Sequence, residues 1–322
     1  MRSLLTAPSA SAGLAARAAT PAPGALDARA AGTMLLLCAV WSLQQISLKA
    51  IAGQASPMLM VALRSLVALL LLAALMARRG ERLQRSRWRA GAAVGALFAL
   101  EFLLVSEALR LTQASHVIVF LYTAPIFAAL GLHLRIADER LGRRQWAGIA
   151  LAFGGIALAF LGGVRSPAAG GAGPSWPSWG GDALALAAGM AWGATTVTIR
   201  DSSLARAPAT ETLLYQLLGA FVLLLPAAWL SGQWHFEPST RVLAHLGFQS
   251  LVVSFASFLV WFWLLRTYLA SRLGVFSFLT PLFGVLLGVW LLGEAIEPRF
   301  VAGSVLVLAG IGLVNARAGT GR

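Results

Sequence analysis

Three ionisable side chains, Lys49, Arg64 and Glu101, lie inside long apolar runs, and they are the first candidates for chemistry. An ionisable group within lipid costs roughly 2.5–3.5 kcal/mol on insertion scales, so each needs a partner, water or a bound solute. Arg64 follows Pro57 by seven residues, which at 1.5 Å per residue puts it about 10 Å below the end of its run. At that depth it either meets a carboxylate on a substrate or neutralises another buried group. Glu101 falls near the middle of the next run, with Arg64 as the candidate partner. The pair is either a structural tie or, where substrate or protons compete for it, a site that couples transfer to protons. Lys49, the only lysine, sits at the end of the first run, where it either snorkels to the headgroups or serves a substrate gate.

A second set could line a shared polar cavity: Trp41, Gln44, Gln45, Tyr122, Trp192, Tyr215, Gln216 and Gln249. Amides donate and accept, which suits a neutral or zwitterionic solute, whereas tryptophans and tyrosines also populate the membrane interface, the preferred reading for Trp261 and Trp263. Gln44 and Gln45 are about 100° apart on a helix, so at most one faces a given cavity. Pro125 and Pro281 sit mid-run and deprive the carbonyls of Leu121 and Ser277 of helical partners, either as packing kinks or as hinges. Glu139 and Glu294 fall at run ends, where an exposed terminal charge is the simpler expectation. His116, His133, His235 and His245 show no HExxH or other ligand spacing, and Cys38 is the single cysteine. No metal, cofactor or enzymatic centre is expected.

The elements that must position these residues follow from composition. With 58% apolar and 11% charged residues, the chain reads as an all-α polytopic membrane protein. A net charge of +13 suggests nucleic acid at first, but the basic residues cluster in short segments between apolar runs, so the expected partners are the bilayer and a small-molecule substrate. Ten transmembrane helices are predicted: 32–52, 57–77, 90–110, 115–135 and 145–163, then 182–200, 210–231, 243–266, 271–293 and 299–316. These give a first five-helix repeat over 32–163, a Gly/Pro-rich linker over 164–181 and a second repeat over 182–316. The segments 1–31 and 317–322 are expected to be cytoplasmic tails, the former disordered.

The two halves match in register: Ser115/Ser271, Val119/Val275, Phe120/Phe276, Pro125/Pro281 and Phe127/Phe283. After a one-residue slip come Glu139/Glu294, Gly148/Gly303, Gly155/Gly310 and Ile156/Ile311, and upstream Trp41 with Lys49 parallels Trp192 with Arg200. Five helices per repeat is an odd number, so the repeats are inverted. Arginine follows: Arg78, Arg79, Arg82, Arg85, Arg87 and Arg89 lie between the second and third runs, against Arg241 alone in the matching loop. Both termini are therefore expected in the cytoplasm.

Trp41-Ser42, Lys49, Arg64, Pro125, Glu139, Gly148 and Gly155, with Trp192-Gly193, Pro281, Glu294, Gly303 and Gly310 in the second half, resemble the EamA-type branch of the drug/metabolite transporter superfamily. The resemblance covers about 32–316 and implies a ten-helix inverted-repeat fold around a central cavity, usually exporting amino acids or related metabolites. It points to a secondary carrier in a bacterial inner membrane. The absence of a GxxxxGK[ST] motif argues against an ATP motor, leaving proton coupling as the candidate drive. Uptake, drug export, a membrane scaffold and a membrane-embedded enzyme remain as alternatives, and the oligomeric state is open, with a monomer sufficient. Gln216 stands roughly where the first half has Arg64, so the cavity is electrostatically asymmetric.

Overall fold

The computed structural model describes residues 28–136, 141–162, 178–267 and 279–315, and within these the chain is helical throughout apart from short turns and one isolated bridge, Ala55 to Phe236. In chain order the elements are α1 (Ala28–Ala50), α2 (Pro57–Arg79), α3 (Trp88–Leu111), α4 (Ala114–Leu121), α5 (Ala124–Arg135), α6 (Arg143–Gly162), α7 (Ser178–Arg200) and α8 (Ala209–Leu230). There follow α9 (Thr240–Gly247), a π-helical segment (Phe248–Ser257), α10 (Phe258–Thr267), α11 (Leu279–Leu292) and α12 (Pro298–Asn315). Seven helical stretches are long and apolar enough to cross a membrane, and Leu279–Leu292 and Pro298–Leu313 are shorter apolar helices.

Helix ends follow local chemistry. Ser56 accepts from the Leu59 amide and Pro57 occupies the first turn, a strong start for α2. Gly80, at φ 67°, ends it in the left-handed region. The run expected as one helix over 115–135 is two: the chain breaks at Tyr122–Thr123, and Pro125 lies in the first turn of α5. Proline offers no amide to the Leu121 carbonyl, so α4 stops one turn before it. Pro281 is buried in the first described turn of α11, and its partner carbonyl at Ser277 lies outside the described residues, as does Glu139.

Residues 28–31, expected in the tail, are helical in α1. Residues 178–181, expected in the linker, are helical in α7. Gly180-Gly181 reads as a breaker, yet Gly181 is a packing residue: a Cβ there would stand 2.7 Å from that of Thr112, so only glycine lets α7 lie against the end of α3.

The helices alternate in direction, so the ends of α1 and α3 and the starts of α2 and α4 share one end of the bundle. This is called here the Lys49 end, and the opposite one the Arg135 end. On the flank, α6 packs against α12 with almost no side chain between them. A Cβ on Gly155 would meet the Gly303 carbonyl oxygen at 2.6 Å, and one on Gly310 would meet that of Gly148 at 2.5 Å. These four glycines, matched in register between the halves, pair with one another.

Candidate functional site

In the middle of the bundle the Arg64 guanidinium is 2% exposed. It donates from Nη1 to Gln249 Oε1 at 2.5 Å, and its Cζ lies 4.5 Å from the centre of the Phe102 ring. Gln249, fully buried, donates from Nε2 to the Gln44 carbonyl oxygen at 2.7 Å. One chain of contacts thus runs from α2 through the π segment to α1. The wider turn of a π-helix places Gln249, Ser250, Ser254 and Ser257 in the buried interior, all contributed by an otherwise apolar span. Among the described residues Arg64 Nε lacks any hydrogen-bond partner, as do Gln45 Oε1 and Ser250 Oγ, which neighbour Gln44 and Gln249 in the chain. Buried polar atoms are nearly always paired, so each of these is open to a polar guest.

Glu101 is 5% exposed on α3. It lies within electrostatic range of Arg64 and of Tyr122, but neither a salt bridge nor a hydrogen bond joins it to a described residue. The direct Arg64–Glu101 pairing anticipated from sequence is therefore replaced by Gln249, because the π segment brings an amide closer. Trp192 meets Tyr122 edge to face at 5.2 Å, and Trp41 meets Trp261 likewise at 5.6 Å while donating from Nε1 to Ser257 Oγ at 3.1 Å. Trp261 is half-buried and packs on Trp41. Gln216 is half-buried on α8, and among the described residues no hydrogen bond joins it to the Arg64 group. Tyr215 packs its ring where a Cβ on Gly91 would stand, at 2.5 Å, so it holds α8 to α3.

At the Lys49 end, the Lys49 ammonium donates to the carbonyl oxygens of Leu109 and of Thr112, the latter at 2.8 Å. It closes the C-terminus of α3, where helix carbonyls lack amide partners. Glu294, expected as an exposed charge, is a cap: its carboxylate accepts from the amides of Ala114 at 2.6 Å and Ser115 at 3.0 Å. Gly293, at φ 65°, turns the chain back after α11 to bring it there. Asp182, wholly buried, accepts from Thr112 Oγ1 at 2.7 Å and faces His116 Nδ1 at 3.0 Å, and the imidazole stacks on Phe300 at 3.7 Å. Sequence reasoning missed this cluster; its signal was an acidic residue directly after Gly180-Gly181 and a histidine within an apolar run.

The Arg135 end is tied by Arg87 to Glu211 at 2.7 Å and by Arg135 to Asp201 at 3.2 Å. Among the described residues no three His, Cys, Asp or Glu side chains converge as a metal site would need. The polar interior is suited to holding a solute.

The sequence profile of the EamA-like transporter family matches residues 29–161 and 179–316, nearly the whole described chain and in two copies. The chain belongs to the EamA-like transporter family. As an EamA-like transporter it is a multi-pass membrane protein. Its similarity to an uncharacterized transporter of Archaeoglobus fulgidus is 27% identity over 224 residues, 69% of this chain and 72% of that one. A probable amino-acid metabolite efflux pump of Salmonella typhimurium is 26% identical over 198 residues, 58% of this chain and 63% of the pump. An uncharacterized protein of Pseudomonas aeruginosa is 30% identical over 195 residues, 59% of this chain and 63% of its own length. A solved crystal structure shares the fold, with a TM-score of 0.59 over 88% of this chain and 93% of that one at 23% identity.

Proposed function

We propose that this EamA-like transporter is a secondary carrier exporting a small polar metabolite that bears a carboxylate, an amino acid or a derivative, across the bacterial inner membrane by alternating access. The observation that carries the reading is Arg64: a buried guanidinium held at one nitrogen by Gln249, with Nε unpartnered. A carboxylate entering there finds a charged donor in a medium where such a bond is strong. Gln45, Gln249, Tyr122, Trp41 and Trp192 would complete the solute's surroundings, while Lys49 holds the neighbouring helix end. Glu101, close enough to sense Arg64 but unbonded to it, is the candidate proton carrier. The printed name of the Salmonella relative favours export and amino-acid-like substrates.

The architecture we assign is ten spans in two inverted repeats, 32–163 and 182–316, with both termini cytoplasmic and the Lys49 end outside. The α6–α12 contact supports it. Gly148 and Gly303 are equivalent by sequence register, as are Gly155 and Gly310, and the contacts run Gly148 to Gly310 and Gly155 to Gly303. Such reciprocity is what a two-fold axis produces.

The test is flux of radiolabelled amino acids and other carboxylate metabolites from loaded proteoliposomes, with the substrate first found by a toxic-analogue resistance screen in cells expressing the protein. Arg64→Ala should abolish flux while the protein still elutes as a folded monodisperse species, and undiminished flux would remove Arg64 from the mechanism. Arg64→Lys keeps the charge but not the fork, and should retain partial flux at raised KM.

A further inference from the structure

A cavity of about 430 Å³ opens between α1, α9 and α11 at the Lys49 end, away from the Arg64 group. Its few polar residues are ordered by depth. Arg241, in the first turn of α9, is exposed at the rim and donates from Nη2 to the Ala50 carbonyl oxygen at 3.3 Å. One turn further in, Ser47 Oγ and His245 Nδ1 lie 2.7 Å apart. Beyond them the lining is apolar, with Leu43, Ile46 and Phe248 as its floor. Phe248 follows Arg241 by seven residues, about 10 Å along a helix axis.

Neighbouring side chains fix the depth of the rim in the bilayer. Trp290, 78% exposed, directly precedes Leu291 and Leu292 of the cavity wall, and Trp229, 66% exposed, lies in the last turn of α8 at the same end of the bundle. Tryptophans gather at headgroup level in membrane proteins. Arg241 therefore stands where lipid phosphates do, while the exposed Leu286, Val289 and Leu291 of α11 face the acyl chains beside it. No described carboxylate pairs with Arg241, Glu237 one turn before it in the chain included. A soluble anion would leave the floor unfilled, and a bare hydrocarbon chain would leave the guanidinium without a counter-ion. A cation at headgroup depth above an apolar floor is the complement of a phospholipid read from its phosphate to its chain.

We propose that this cavity binds one anionic phospholipid, with its phosphate on Arg241 and the upper part of one acyl chain on the floor formed by Leu43, Ile46 and Phe248. At about 430 Å³ the cavity has the size of a small-molecule site and is smaller than a whole lipid, so the rest of the lipid lies along α11 in the bilayer. The Ser47–His245 pair stands between the two, at the depth of the ester oxygens. A zwitterionic headgroup would bring its own ammonium beside the guanidinium, which favours a lipid of net negative charge.

Native mass spectrometry of the full chain, titrated in detergent with phosphatidylglycerol or phosphatidylcholine of the same acyl composition, tests this. The unaltered protein should retain its first phosphatidylglycerol about fivefold more tightly than phosphatidylcholine, the scale of one basic residue at a membrane surface. Arg241→Gln should bring that preference close to unity, whereas Arg82→Gln, which removes an exposed arginine at the opposite end, should keep it. Ala244→Trp sets an indole into the cavity and should weaken retention of the first lipid of either kind several-fold. Equal retention of the two lipids by the unaltered protein overturns the proposal, as does a preference that survives Arg241→Gln or undiminished retention by Ala244→Trp. Inorganic phosphate that displaces phosphatidylglycerol at equal concentration also overturns it, since the site would then take a free anion. Lipid retention is measured without transport, so a chain that carries no solute can still pass this test, and a working carrier can still fail it.

Discussion

The guanidinium of Arg64 is held by an amide and an aromatic face, and that choice leaves its charge without a carboxylate in direct contact. A carboxylate partner would have sealed the site, whereas Gln249 orients the fork and leaves one nitrogen for a guest. Replacing it by leucine should raise KM and also lower stability by roughly 1.5–3 kcal/mol, the scale of a hydrogen bond to a charged group, measurable as a fall in Tm. Glu101→Gln should leave the fold intact and make flux indifferent to an imposed pH gradient; flux that still follows the gradient assigns coupling elsewhere. The sequence marked Arg64, Glu101 and Lys49 as costly residues because their neighbours in the chain are apolar. Their partners could not be read there. Lys49 closes a helix whose end lies some sixty residues downstream, and Arg64 finds an amide from a different repeat.

At the scale of elements, the spans were legible because apolar length is a direct trace of the bilayer, and α1, α2, α3, α7 and α8 end within a few residues of the expected bounds. Their irregularities were only partly so. Proline announced the break between α4 and α5, because a missing amide is visible in sequence. The π turn of Phe248–Ser257 was not, since an extra residue per turn leaves an apolar run looking the same. Deleting one residue between 250 and 256 should restore α-helical winding, break the joint burial of Gln249, Ser250, Ser254 and Ser257, and eliminate flux with helical circular dichroism unchanged. Glu294 shows the same limit for caps: its carboxylate serves the start of a helix in the other half. Glu294→Ala should cost about 1 kcal/mol and lower Tm by a few degrees.

For the whole molecule, the flank of α6 and α12 acts as a strut, with backbone against backbone at Gly155 and Gly303. Gly155→Leu would force the helices apart, and a loss of about 1–3 kcal/mol or failure to insert is expected, read by thermal unfolding in detergent; an unchanged Tm would mean the strut yields freely. The duplication was readable as a register of matching residues, because inversion leaves sequence order intact. The reciprocal glycine crossing also has a consequence for descent. Before the halves diverged, a single codon faced its own near neighbour across this contact, so a change of size was met on both sides at once. Since then the two sides have been free to change separately, but the backbone of each still sets the room left to the other: among relatives, the positions equivalent to Gly148, Gly155, Gly303 and Gly310 should all stay glycine, alanine or serine. Positions remote in the gene should therefore be held small together.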